Sequence, residues 1–144
     1  GYNYRLSNVC AGIGRGQMLS LPSFLEKRRG IHEEYRRRLS GVPGLSLLEN
    51  PDSRYHSNHW LTCVQVNPEE ARFDRETLRL ALQKAGVESR PLWKPMHLQP
   101  VFRSCPFYGS GVSDRLFEQG LCLPSGASLA GEDVDRIIDV LLNL

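Results

Sequence analysis

Apolar residues recur at two different periods along the chain, and the changes of period predict its elements. Residues 7 to 20 read as a helix with a side of small residues: Cys10, Ala11, Gly12, Gly14 and Gly16. Three glycines weaken an isolated helix by roughly 1 kcal/mol each relative to alanine, so close packing against another element is expected. Leu21-Pro22-Ser23 is expected to interrupt, because proline brings no N–H to the helical ladder. Ser23 would then cap a second helix over residues 24 to 39, with Glu26 completing a capping box. That helix carries Phe24, Ile31, Tyr35 and Leu39 on one stripe. Gly41-Val42-Pro43-Gly44 stops it.

Residues 45 to 49 predict a short strand, and Asn50-Pro51-Asp52-Ser53 a turn. Residues 60 to 66 alternate, with Trp60, Thr62, Val64 and Val66 on one face and Leu61, Cys63 and Gln65 on the other. Asp74 caps a helix carrying Leu78, Ala81, Leu82 and Ala85, closed by Gly86. A short strand is predicted over residues 87 to 90, a long loop over 91 to 106, a short helix over 113 to 119 and a strand over 121 to 123. A final helix begins at Glu132-Asp133 and buries Val134, Ile137, Ile138 and Leu141. This order predicts an α+β fold: an antiparallel sheet of three or four strands with helices on one face.

The composition agrees with a globular domain. Of 144 residues, 40% are apolar and 24% charged, and the net charge of +2 is too balanced to imply nucleic acid. No apolar run approaches a membrane span. The chain opens without Met and without a leader sequence, which suggests a fragment of a longer protein. Cys10, Cys63, Cys105 and Cys122 form no Cys-x-x-Cys pair, so free thiols in a reducing cytosol are expected.

Several motifs have bland readings. Gly12-x-Gly14-x-Gly16 lacks the preceding strand and the spacing of a dinucleotide fingerprint. His56, His59 and Cys63 have a loosely zinc-like spacing, but positions 56 and 59 of a strand point to opposite faces, so no metal is assigned. His32 and the arginines at 28, 29 and 36 to 38 sit among glutamates and read as a solvated helix face.

The segment from Arg90 to Pro100 is richer. It gathers Arg90, Trp93, Lys94, His97 and Gln99 in a loop stiffened by prolines. Trp93 suits stacking on a base or sugar ring, Arg90 or Lys94 an anionic group, and His97 a hydroxyl or a mobile proton. An ordered loop whose Trp plugs the core is an equal alternative. Only Lys27, Lys84 and Lys94 exist, and Lys94 is the one that could form a Schiff base within this chain.

The opening Gly1-Tyr2-Asn3-Tyr4-Arg5-Leu6-Ser7-Asn8, with Ala11-Gly12-Ile13-Gly14 and Gln17-Met18, resembles the segment that follows the cofactor domain in the DegT/DnrJ/StrS sugar aminotransferases. Trp93-Lys94-Pro95-Met96-His97-Leu98-Gln99-Pro100 and Gly120-Leu121-Cys122-Leu123-Pro124-Ser125-Gly126 continue the resemblance in the same order. Both look like the branch that aminates a UDP-4-keto-6-deoxy-N-acetylhexosamine toward bacillosamine-type sugars. The resemblance implies the small C-terminal domain of a fold-type I pyridoxal-phosphate (PLP) transferase. Residues 1–22 would be a linking helix from the end of the large PLP domain, and residues 23–144 the small domain itself.

The resemblance further implies a cytoplasmic homodimer that moves an amino group from glutamate, through PLP, to a UDP-sugar. Asn3 would reach the PLP phosphate of the partner subunit, with Arg5 close by. His97, Trp93 and Lys94, and more weakly Arg90, would line the sugar-nucleotide end of the pocket. The family's Schiff-base lysine lies before the Gly-Tyr-Asn-Tyr motif, so the fragment alone is expected to be inactive and free of PLP. The glycine-bearing segment, residues 1 to 20, would be mobile or packed on another copy. The alternative is a stand-alone module that binds a nucleotide sugar or a protein partner.

Overall fold

The fold is described from a computed structural model, which covers Tyr2 and residues 4–144. Its first element is one helix, α1 (Asn8–Leu39), and not two. Pro22 lies inside it. Proline removes one N–H from the ladder, but the turns on either side keep theirs, and 32 residues of cooperative helix carry the defect. Ser7 provides the cap, its Oγ accepting from the Cys10 N–H at 3.2 Å, and Ser23 is an interior residue.

Strand β1 (Leu45–Leu47) pairs antiparallel with β2 (Thr62–Val66), in register Leu45 to Val66. A one-turn helix α2 (Pro68–Ala71), capped by Asn67, follows. Helix α3 (Arg75–Lys84) is capped as its sequence predicts, with the Thr77 N–H donating to Asp74 Oδ1 at 2.8 Å. Gly86 adopts a φ of +72° beyond its end, as a helix-terminating glycine does.

The next strand is displaced from its predicted place. Val87 turns into the core, and only Arg90–Pro91 pair as β3. The loop beyond holds two 3-10 turns, Met96–Leu98 and Pro100–Phe102. Helix α4 (Val112–Gln119) runs directly into β4 (Gly120–Leu123), and α5 (Gly131–Leu142) ends the fold. Asp133 caps α5 by accepting from the Ala130 N–H at 3.1 Å.

The sheet order is β1-β2-β4-β3, antiparallel throughout. Thr62, Val64 and Val66 share a face with Leu121 and Leu123, and that face is buried. Tyr35 and Leu39 of α1, Leu78 and Leu82 of α3, and Val134, Ile137, Ile138 and Leu141 of α5 close over it in one cluster. Three helices on one face of a four-stranded antiparallel sheet is the α+β arrangement the periodicity predicts. β4 is buried on its second face too, where Leu92 covers Gly120 so closely that a Cβ there would sit 2.1 Å from Leu92 Cδ1.

Residues 8 to 24 of α1 project beyond this layer and are exposed. Gly12, Gly14 and Gly16 have nothing within 4 Å of where a Cβ would stand, so the close packing expected of them is not made within the described residues. Among those residues, no helix is long and apolar enough to cross a membrane.

Candidate functional site

The C-terminal end of β4 is fastened by polar contacts that the sequence does not advertise. Ser125 Oγ accepts from the buried Thr62 N–H at 2.8 Å and donates to the Leu123 carbonyl at 3.1 Å. The Tyr35 hydroxyl donates to the Pro124 carbonyl at 3.0 Å. Burial holds the Tyr35 phenol protonated far above its ordinary range. These bonds join α1, β2 and the Pro124-Ser125-Gly126 turn into one wall.

The start of β2 is fixed from the other side. Ser57 Oγ accepts from the His59 N–H at 3.0 Å and Asn58 Oδ1 from the Trp60 N–H at 3.1 Å. His59 takes a φ of +44°, an unusual left-handed conformation for a side-chain-bearing residue. Arg28 Nη1 donates to the Trp60 carbonyl at 2.8 Å, and Arg29 Nε to that of Ser57 at 3.1 Å. Two arginines of the supposed solvated face therefore hold the loop that presents Trp60.

His32 is buried, contrary to its reading as a solvated helix residue. Its ring stacks on His59 with centroids 3.6 Å apart, and its nitrogens lie 3.4 Å from Thr62 Oγ1 and 3.3 Å from Glu49 Oε2. The signal was present, since residues 32, 35 and 39 share one helical stripe. Burial, then the charge of His32, lowers the pKa of His59 below the ordinary histidine value. His56 is exposed, His59 stacks on His32, and Cys63 meets Cys122, so the three zinc-like positions are dispersed.

Between these walls lies a cleft of about 710 Å³. Trp60 and Trp93 face each other at its mouth, ring centroids 6.1 Å apart and tilted by 35°. Both remain more than half exposed, at 58% and 68%. Trp93 thus does not plug the core. Arg28, Arg90 and Arg136 bring guanidinium groups to the lining, and Glu88 and Asp133 bring carboxylates. Arg90 Nη2 is paired with Glu88 Oε1 at 2.6 Å. Flat aromatic faces beside fixed guanidinium groups suit a ligand that carries both a ring and an anionic group.

The predicted loop residues divide. Arg90 and Trp93 reach this cleft, whereas Lys94 and His97 do not line it. Lys94 is exposed, and its backbone carbonyl accepts from Gln99 Nε2 at 3.2 Å. The His97 ring stacks on Phe107, centroids 3.7 Å apart, and its Nε2 lies 2.6 Å from Asp114 Oδ1 at the start of α4. A histidine held between a ring and a carboxylate has a fixed orientation and one remaining ring nitrogen, Nδ1. Arg5 is exposed ahead of α1. Asn3 lies outside the described residues.

The profile of the DegT/DnrJ/EryC1/StrS aminotransferase family matches residues 1–142. The chain belongs to that family. It is 37% identical over its whole length to EpsN of Bacillus subtilis (strain 168), a proposed pyridoxal phosphate-dependent aminotransferase, of which it covers 37%. A GDP-perosamine synthase of Vibrio cholerae is 30% identical over 99% of this chain and 38% of that protein. In structure, the chain resembles DesV of S. venezuelae, solved in complex with a ketimine intermediate. The TM-score is 0.85 at 28% identity, covering 99% of this chain and 38% of DesV. The chain thus spans little more than a third of the length of these relatives. The α+β layer described above is a domain that fold-type I sugar aminotransferases contain.

Proposed function

We propose that this family member is the substrate-side domain of a PLP-dependent sugar-nucleotide aminotransferase. In this reading the enzyme takes an amino group from glutamate and places it on a UDP-linked 4-keto-6-deoxy-N-acetylhexosamine, as a cytoplasmic homodimer. The observation that carries the reading is the Trp60–Trp93 cleft with its guanidinium lining, in a chain of this family. Trp93 and Trp60 stack on the flat part of the nucleotide sugar, and Arg90 and Arg28 compensate its phosphates. His97, oriented by Asp114, offers Nδ1 to a sugar hydroxyl or carbonyl from the neighbouring 3-10 turns.

Pyridoxal phosphate chemistry needs a lysine whose charge is suppressed in an enclosed site. Lys27, Lys84 and Lys94 are all exposed, so the described residues of this chain do not fit the role of cofactor cradle. Asn3 and Arg5 remain proposed as contributors to a shared phosphate site, and the chain alone is proposed to be inactive.

The two half-reactions of a transaminase test the assignment separately. In the full-length protein containing this chain, Trp93→Ala and His97→Ala should impair amination of the keto sugar by an order of magnitude or more, leaving the glutamate half-reaction near wild type. Equal loss in both halves would refute a substrate-side role. A binding module is the second reading, since the cleft sets the Trp60 and Trp93 rings beside arginines and needs no lysine chemistry. Calorimetry of the isolated chain with UDP-N-acetylglucosamine separates the two: substantial heat supports the module, and silence supports a half-site.

A further inference from the structure

Cys63 and Cys122 stand directly opposite each other on β2 and β4, with their sulfurs 3.8 Å apart. The Leu48 N–H donates to the Cys63 carbonyl at 2.9 Å, so the backbone polar groups of Cys63 point toward β1. The Leu92 N–H donates to the Gly120 carbonyl at 3.2 Å, two residues before Cys122, so those of Cys122 point toward β3. Neither residue spends its backbone on the other. Their pairing is therefore the non-hydrogen-bonded kind, where antiparallel strands bring Cα atoms to about 4.5 Å and side chains closest together. That separation falls inside the range a disulfide spans, about 4.4–6.8 Å.

We propose that Cys63 and Cys122 form an oxidative modification site, a cross-strand dithiol that a hydroperoxide converts to a disulfide. The Cys122 thiolate attacks the peroxide O–O bond, takes one oxygen as sulfenic acid and releases hydroxide, or an alkoxide from an organic peroxide. Cys63 then attacks that sulfur, its thiol proton passing to the departing hydroxide, so that the S–S bond forms and water leaves. Two thiols are oxidised by two electrons and one hydroperoxide is reduced to two molecules of water, or to water and an alcohol.

Three features favour this order. Cys122 lines the cleft, which gives a small oxidant a path to it, although only 6% of its surface is exposed. The S–H contact shared by the two sulfurs at 3.8 Å holds the Cys122 thiol below its ordinary pKa and raises that of Cys63. Both side chains stand on the sheet face away from the α1–α3–α5 core, so bringing the sulfurs to about 2.05 Å requires no core side chain to move. Cys10 and Cys105 are exposed and lack such a partner among the described residues.

The test uses the 144-residue chain carrying Cys10→Ser and Cys105→Ser. It is treated with a slight excess of hydrogen peroxide near neutral pH, quenched with catalase and alkylated with iodoacetamide. The expected product is about 2 Da lighter than the reduced protein, takes no alkyl group and yields a linked Cys63–Cys122 peptide. Its thermal midpoint should rise by roughly 10 °C and return on reduction, because the bridge closes a long loop. Two alkylatable thiols, after exposure that fully oxidises glutathione, would overturn the proposal. So would oxygen addition in place of hydrogen loss. Adding Cys63→Ala gives a second reading: Cys122 should then gain about 16 or 32 Da. Persistence of the lighter product in that variant would also overturn it.

Discussion

Replacing Ser125 by alanine isolates the polar clamp at the end of β4. Ser125 is 4% exposed, and its hydroxyl accepts from the Thr62 N–H at 2.8 Å and donates to the Leu123 carbonyl at 3.1 Å. Thr62 itself is fully buried, so water cannot replace the lost acceptor. Removing the hydroxyl costs a net hydrogen bond, about 1 kcal/mol, and exposes the desolvation penalty of a buried N–H, about 1–3 kcal/mol. The sum is about 2–4 kcal/mol, equivalent to roughly 5–15 °C in midpoint for a domain of this size. Urea unfolding of the chain, followed by tryptophan fluorescence, measures it, with Ser125→Thr as the hydroxyl-retaining control. A loss below about 0.5 kcal/mol at unchanged m-value would refute the argument. It would mean that the strand ladder satisfies the Thr62 N–H unaided.

Three further outcomes follow from the same structure. Pro22→Ala restores a missing ladder donor in an exposed helix and should stabilise α1 by up to about 3 kcal/mol. Amide exchange over residues 8 to 26 should slow, and unchanged exchange would count against a continuous helix. Gly120→Ala should cost more than about 2 kcal/mol, because its Cβ meets both Leu92 Cδ1 and, at 2.5 Å, the Leu116 carbonyl oxygen. Adding Leu92→Ala should recover only part, since the backbone contact remains, and full recovery would locate the whole clash in the side chain. His59 has a lowered pKa in the fold, so the unfolded chain binds its proton first as pH falls. Its stabilisation is complete above the unfolded value of about 6.5 and is lost as pH falls through the folded value. Unfolding free energy should decline between about pH 7 and pH 5 in the wild type and less steeply in His59→Asn, and parallel curves would exclude His59 as the cause.

Local chemistry made much of the fold legible in the sequence. The alternation of Thr62, Val64 and Val66, the Asp74 cap and the Val134–Leu141 stripe each act within a few residues, and each was readable as such. Pro22 misled because a proline's local penalty is set against the cooperativity of the whole helix, which packs from Tyr35 and Leu39 far downstream. The strand predicted at residues 87 to 90 moved because Val87 found a place in the core, leaving only Arg90 and Pro91 to pair.

The candidate site was harder to read, since its defining contacts join residues distant in sequence. The 93 to 97 segment stood out by composition, but composition could not separate Trp93, which turns toward Trp60, from His97, which turns toward Asp114 and Phe107. Ser125 sits in the Pro124-Ser125-Gly126 turn, and nothing local marks it as the acceptor for the Thr62 N–H, 63 residues earlier.

Helix α1 has mechanical consequences as well. Thirty-two residues make a rod of about 48 Å, of which the exposed first 17 extend about 25 Å from the sheet. Its root is pinned at separate places: Arg28 and Arg29 to the loop before β2, Tyr35 to Pro124, and Arg38 to Asp135 and to Asp139 at 3.4 Å on α5. A tilt of one degree about that root displaces the far tip by about half an ångström. Small packing changes beneath Tyr35 are therefore geared up along the rod. A substitution in the small core, remote from any surface α1 meets, can misalign that surface by more than it disturbs its own neighbours.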